Sequence, residues 1–249
     1  MTQNPEFLDP PFTPNNLDRY IVRSSILKAF QETLPQLQGT LLDVGCGQMP
    51  YKPLLLSEES NVEKYIGIDL EGGRHSQRSQ PDLLWDGKTI PLQDESIDCA
   101  IATEVFEHCP DPEIVMKEIW RVLKPGGILF FTIPFLWNLH ETPHDEYRYT
   151  PFALERHLTN SGFTEIEIKA MGGWDAALAQ MLGLWVRRRF NKTKKQKVLR
   201  IILSGLLFPV IAFLYQRDGF AGSRGEHRAP EAFKEGTMIT GLKGTAKKT

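Results

Sequence analysis

The densest chemistry in the chain lies in one short segment, His140-Glu141-Thr142-Pro143-His144-Asp145-Glu146-Tyr147-Arg148-Tyr149-Thr150. It sets two imidazoles, three carboxylates, a guanidinium and two phenols side by side. Groups of these types donate, accept and titrate, so the segment reads as a site rather than a solvated loop. A second set is sparser and more regular. Asp43, Gly45, Cys46 and Gly47 end the run Leu41-Leu42-Asp43-Val44-Gly45-Cys46-Gly47, and Asp69 and Leu70 end Tyr65-Ile66-Gly67-Ile68-Asp69-Leu70. Glycines after an apolar run let a ligand approach the backbone, and an acid at the end of the next run can accept hydrogen bonds from both hydroxyls of a ribose. Asp86 follows Leu84-Trp85, and Glu104 follows Ile101-Ala102-Thr103. The pattern fits a nucleoside held at strand ends.

The elements needed to position these residues can be read from apolar spacing. Leu17 to Leu37 has helical spacing (Ile21, Ile26, Leu27, Phe30, Leu34), with Gly39 as its stop. Strands are expected at Thr40–Val44, Lys64–Ile68, Cys99–Thr103, Ile128–Ile133, Thr164–Ala170 and Thr237–Thr245, with a further one ending near Trp85. The intervals are long enough for crossover helices, which predicts an α/β fold: a mostly parallel sheet with helices on both faces. Lys124-Pro125-Gly126-Gly127 reads as a helix stop and tight turn, and Asp98 as a residue capping or turning the chain before a strand. In such sheets ligands sit at the carboxyl ends of the strands, where these acids fall.

Composition narrows the function. With 249 residues, 41% hydrophobic and 24% charged, the chain can bury one sizeable core, and a net charge of −2 gives no reason to expect nucleic acid. Cys46, Cys99 and Cys109 are odd in number and lack metal-ligand spacing, which suits a reducing, cytoplasmic compartment. Met1 to Pro14 has no basic start and no long apolar run, so it reads as an extended arm and not a secretory signal. A dinucleotide turn would need a glycine where Pro50 stands, and no P-loop occurs. His140 and His144 form a His-x-x-x-His pair, but Pro143 interrupts any helix between them and no third ligand has matching spacing, so no metal is expected.

Five motifs in order, Leu-Leu-Asp-Val-Gly-Cys-Gly (41 to 47), Gly-Ile-Asp-Leu (67 to 70), Pro-Leu-Gln-Asp-Glu-Ser-Ile-Asp (91 to 98), Thr-Glu-Val-Phe-Glu-His (103 to 108) and Arg-Val-Leu-Lys-Pro-Gly-Gly (121 to 127), resemble the class I S-adenosylmethionine-dependent methyltransferases of the type 11 branch. The resemblance covers roughly residues 39 to 170. It implies a Rossmann-like seven-stranded sheet whose last strand is antiparallel, and S-adenosylmethionine as cofactor. It places Asp43, Gly45, Cys46 and Gly47 beside the methionine part, Asp69 on the ribose hydroxyls and Leu70 against the adenine. Asp86 then meets the adenine amino group, and Glu104 lies near the methionine end. Where the family often has a third glycine, this chain has Met49. Glu107 and His108 are either packed hallmarks of the motif or part of the chemistry.

The His140–Thr150 segment is similar to one found in a branch acting on glycan, cell-envelope or lipid-like substrates. Methyl transfer is an in-line displacement, and an oxygen acceptor must also lose a proton. His144 is the expected base, Asp145 its orienter or an alternative base, and Arg148 an anchor for an anionic acceptor. In the alternative, Asp145 and Arg148 pair to hold the loop while Thr150 caps a helix from Pro151. The chain is expected to form one domain: arm and helix (1–38), cofactor core (39–170), an apolar and basic insertion (171–236), and last strand with tail (237–249). Within the insertion, the basic run Arg187 to Lys197 precedes the apolar Val198 to Tyr215. A single span would strand the last strand across a bilayer. That leaves helices buried over the site, an interfacial segment within 182–215 meeting anionic lipid, or a re-entrant hairpin broken near Pro209.

The expected activity is methyl transfer to a small-molecule, glycan or lipid-linked acceptor at oxygen. Rivals are a carbon or nitrogen methyltransferase acting on a quinone-like or amine acceptor, and a cofactor-binding but inactive partner subunit. A nucleic-acid methyltransferase has only the basic run 187–197 in its favour.

Overall fold

The computed structural model describes residues 5–72, 80–222 and 233–249. The first four residues of the expected arm, and 223–232 of the insertion, lie outside them. The helices are α1 (Pro5–Leu8), α2 (Tyr20–Thr33), α3 (Lys52–Leu55), α4 (Pro112–Val122), α5 (Pro151–Asn160), α6 (Trp174–Arg189) and α7 (Lys194–Gly222). The strands are β1 (Gln38–Val44), β2 (Asn61–Leu70), β3 (Leu83–Trp85), β4 (Ile97–Thr103), β5 (Leu123–Pro134), β6 (Thr164–Met171) and β7 (Gly241–Lys247). They form one sheet in the order β3-β2-β1-β4-β5-β7-β6, with β7 antiparallel to both β5 and β6 and the other pairings parallel.

Neighbouring residues on the strands serve opposite faces. Leu42, Ala100, Ala102 and Phe131 pack with Val115, Met116 and Ile119 of α4 and Leu154 and Leu158 of α5. Leu41, Cys99, Ile101 and Phe130 pack with Ile26, Ala29 and Phe30 of α2 on the other side. This period-two division buries both faces of the central strands, which explains their near-continuous apolar composition.

Several expected boundaries move. The arm is not wholly extended, since Pro5–Leu8 is helical. The last strand begins at Gly241 rather than Thr237, because the main-chain N–H of Thr240 and its hydroxyl both donate to the Met171 carbonyl and hold the chain in a turn before pairing begins. Lys124 to Gly127 is an irregularity within β5, where the pairing to β4 jumps from Ile97↔Leu123 to Cys99↔Ile128. Asp98 lies inside β4, accepting from the Thr40 N–H at 2.9 Å and pairing with Lys124 at 2.7 Å.

The insertion forms α6 and α7, and α7 runs through Pro209 without a break, so it is no hairpin. One face of α7 (Leu203, Leu207, Phe208, Ile211, Leu214, Tyr215) packs on α6 and on Leu17 and Ile21. The opposite face exposes Val198, Ile201, Ile202, Leu206, Val210 and Phe213. On α6 the exposed Trp174, Leu178, Met181 and Trp185 form a stripe at helical spacing.

Candidate active site

The glycine turn after β1 is tied to the end of β2 by the N–H groups of Gly45 and Cys46, both donating to the Ile68 carbonyl. Gly45 has φ +68, and a Cβ there would meet the Val105 side chain at 2.8 Å. Gly47 has φ +50 with nothing within 4 Å of its Cβ position, so backbone lies open to a ligand. Met49 also adopts φ +50, keeping the left-handed geometry that a glycine would supply there. Cys46 is buried in the turn, and burial pushes its thiol pKa up.

The acids follow at the same edge. Asp43 is buried and accepts from the Tyr65 hydroxyl at 2.5 Å. Burial lifts its pKa to about 7 against that hydrogen bond, with the nearby Asp69 charge adding to the rise. Glu104, at φ +57, accepts from the Thr132 hydroxyl at 3.0 Å, and desolvation pushes it to about 7 as well. Asp69 Oδ1 accepts from the Leu70 N–H at 2.8 Å, while Oδ2 is buried without a partner among the described residues. Leu70 exposes 47% of its surface although it is apolar. Asp86 lies on the surface beyond β3, its Oδ1 taking the N–H groups of Lys88 and Thr89, which hold its pKa down.

These features fit the cofactor that the motifs imply. An orphaned carboxylate oxygen suits a ribose hydroxyl, the bare Leu70 suits an aromatic base, and an open glycine backbone suits close approach. Two desolvated carboxylates, Asp43 and Glu104, suit a cationic ligand.

The His140–Thr150 segment is fastened over the turn that follows β4. The Glu107 carbonyl accepts the N–H groups of Glu146 and Tyr147, Tyr149 hydroxyl donates to the Phe106 carbonyl, and Tyr147 hydroxyl to the Pro110 carbonyl. Arg148 donates to both oxygens of Asp145 at 2.7 and 2.9 Å, and Asp145 also accepts from the His140 N–H at 3.0 Å. The guanidinium holds the Asp145 pKa down to about 2. Thr150 caps α5 by accepting from the Ala153 N–H. Asp145 and Arg148 thus form the loop-holding pair: a carboxylate so acidic is a weak base, and both terminal nitrogens of the guanidinium are engaged.

His144, the expected base, is exposed at its side chain, and its carbonyl accepts from His108 Nδ1 at 2.7 Å. The imidazole brought to the acids is instead His140, with Nδ1 at 3.3 Å from Asp145 Oδ2 and its ring 4.7 Å from that of His108. Beneath both lies Glu107, fully buried, with neither carboxylate oxygen hydrogen-bonded among the described residues. The motif spacing could mark Glu107 and His108, but nothing in the sequence pairs them with His140, more than thirty residues on.

The sheet order and strand-end acids define a class I, Rossmann-like methyltransferase fold. The fold resembles a S-adenosylmethionine-dependent methyltransferase of Thermotoga maritima (TM-score 0.54, 16% identity, 94% of this chain and 91% of that one). It also resembles the phosphoethanolamine N-methyltransferase 2 of Haemonchus contortus in complex with S-adenosyl-L-methionine (TM-score 0.51, 15% identity, 100% and 60%). Residues 42–131 match the family described as a methyltransferase domain. Residues 42–131 thus carry the match to a methyltransferase domain, and the sheet around them has the class I fold, which supports S-adenosylmethionine as the cofactor. In sequence it is 33% identical over 100 residues to a thiol S-methyltransferase of Rattus norvegicus, covering 37% of this chain and 41% of that protein. It is 27% identical over 177 residues to the malonyl-[acyl-carrier protein] O-methyltransferase of Methylococcus capsulatus, covering 63% and 64%. The chain spans less than two thirds of the length of the curated relatives it matches.

Proposed function

We propose that the protein methylates an oxygen of a lipid-linked or glycan acceptor while resting on an anionic membrane surface. The observation that carries this reading is the apolar face of α6 and α7. A helix apolar all round is ordinarily buried, yet Ile201, Ile202, Leu206 and Phe213 are each more than half exposed. Lys194–Asp218 is long and apolar enough to cross a membrane. A crossing is incompatible with its other face packing on Leu17 and Ile21 and with β7 returning between β5 and β6. Lying in the interface satisfies both faces. The exposed Trp174 and Trp185 suit the headgroup level, and Arg188, Arg189, Lys192, Lys194, Lys195 and Lys197 at the α6–α7 junction suit anionic headgroups.

Bound cofactor supplies an electrophilic methyl on a sulfonium. Asp69 would hold the ribose, Gly45 to Gly47 would let the methionine part approach the backbone, and Asp43 and Glu104 would balance its charge. The loop, fastened to the Glu107 carbonyl, would cover the acceptor above this edge. An oxygen nucleophile must lose its proton there, a step we place beside the cluster of Glu107, His108 and His140 in place of the exposed His144.

Co-sedimentation with phosphatidylcholine vesicles, with and without anionic lipid, tests the membrane reading. Binding that rises with anionic lipid and disappears in Ile201→Lys/Leu206→Lys is expected. No binding to either vesicle would sink it. Transfer of labelled methyl to a lipid extract but not to a water-soluble metabolite pool checks the acceptor class.

A further inference from the structure

We propose that Glu107, His108 and His140 form a binding site for one divalent transition-metal ion of the zinc type. A Glu107 carboxylate oxygen and one ring nitrogen from each histidine lie within 4.8 Å of one another. Glu107 Oε1 is 3.7 Å from His108 Nε2 and 4.0 Å from His140 Nε2. Around a tetrahedral ion with bonds of about 2.0–2.2 Å the ligand atoms stand roughly 3.3–3.6 Å apart, so the two Glu107–imidazole pairs need to close by only a few tenths of an ångström, and the imidazole pair, within 4.8 Å, by about 1 Å at most.

Three further observations point to a cation. Glu107 is fully buried and neither of its oxygens has a hydrogen-bond partner among the described residues, a costly arrangement unless a proton or a cation meets it. His108 is oriented from behind as metal ligands ordinarily are. His108 Nδ1 lies 2.7 Å from the His144 carbonyl, an acceptor only, so that nitrogen carries the proton and Nε2 is left with its lone pair facing Glu107. His140 Nδ1 lies 3.3 Å from Asp145 Oδ2 without a hydrogen bond to it; the residue is held instead by its main-chain N–H, which donates to that oxygen, and Arg148 fixes Asp145 in turn. The two imidazoles are about a quarter exposed, 23% and 25% at the side chain, so an ion from solution can reach the cluster.

The donor set selects the ion. Two imidazoles and one carboxylate suit Zn²⁺ or Co²⁺, whereas Mg²⁺ prefers oxygen ligands and keeps its waters. Three protein ligands leave a tetrahedral ion one position for a water or an acceptor hydroxyl. At that position the O–H bond breaks, the proton leaves to solvent and the oxygen keeps the electron pair as a nucleophile near neutral pH. This second part rests on the methyl-transfer reading above; metal binding does not.

The test uses the full chain, stripped with chelator and dialysed against Zn²⁺ or Co²⁺. One equivalent of Zn²⁺ is expected by elemental analysis, and Co²⁺ is expected to give the intense visible absorption of a four-coordinate site. His140→Ala should abolish both. Asp145→Asn should weaken Zn²⁺ binding about 10- to 100-fold, while both variants retain cofactor binding by calorimetry. Should Glu107→Gln fail to fold, His140→Ala still decides, because its ring is at the surface. No stoichiometric uptake by a chain that binds S-adenosylmethionine would overturn the site and leave Glu107 as a buried acid between two imidazoles. Uptake unaffected by His140→Ala would overturn it too, placing the ion elsewhere. Full methyl transfer without metal, with uptake intact, would overturn only the activating role.

Discussion

The two halves of the carboxyl edge are built in different ways. On the cofactor side, Asp43, Asp69, Asp86 and Glu104 each stand where a strand ends or just beyond it, so the parallel sheet places them without help from distant segments. On the acceptor side, Glu107, His108, His140 and Asp145 meet only because the segment after β5 is fastened to the turn after β4. A regular sheet supplies a ligand site common to many proteins, while the fastened loop can change acceptor without disturbing it. Each half should therefore fail in its own way.

The largest expected failure is at Asp69. Asp69→Ala removes Oδ2, which has no partner among the described residues, and the single exposed bond from the Leu70 N–H to Oδ1, so stability should change by no more than about 1 kcal/mol. Two charge-assisted hydrogen bonds to the ribose would be lost, worth about 3 kcal/mol together, or over a hundredfold in Kd for S-adenosylmethionine by calorimetry. If a folded Asp69→Ala chain bound the cofactor normally, the strand-end argument would break.

A pair of glycine substitutions sharpens the same half. Gly45→Val meets both a positive φ and the Val105 side chain at 2.8 Å, and should cost about 2–3 kcal/mol in denaturant unfolding. Gly47→Ala meets only its φ, with open space around it, and should cost about 1 kcal/mol while still weakening cofactor binding.

The acceptor half should respond differently. Arg148→Lys replaces a fork gripping both oxygens of Asp145 by a point charge, loosening the loop and the His140 ring together. Turnover should fall about tenfold by the free-energy scale of a lost charge-assisted hydrogen bond, with the cofactor Kd unchanged. A parallel loss of cofactor affinity would show that the halves are coupled.

This division also explains what could be read from the sequence. The strand cores, their order of acids and the sheet type follow from apolar runs and glycine turns, which are local. Met49 shows the limit even there: its φ of +50 preserves the turn although its side chain gives no hint of it. The acceptor half depends on contacts across more than thirty residues, so chain order points to His144, adjacent to Asp145 in sequence, whereas the fold brings His140 adjacent to it in space. The start of β7 departs from the pattern because Thr237 to Ile239 look strand-forming, whereas Thr240 is captured by Met171 first. For α7 the pattern is apolar on every face, and no periodicity then separates the docked side from the exposed one.

The smallest effect separates charge from shape on the cofactor side. Asp43 and Glu104 hold protons up to about pH 7 in the folded chain, whereas an unfolded chain releases them near pH 4. The folded state binds more protons over that window, so these two groups make the ligand-free protein less stable as pH rises from about 4 to about 7. A cationic ligand favours their ionised forms and must release protons when it binds below about pH 7. Calorimetry in buffers of different ionisation enthalpy should find proton release with S-adenosylmethionine at pH 6 that fades by pH 8. S-adenosylhomocysteine has the same shape without the sulfonium charge and should release fewer protons. Equal release by both ligands would mean that shape and burial, not the cation, set the two carboxylates.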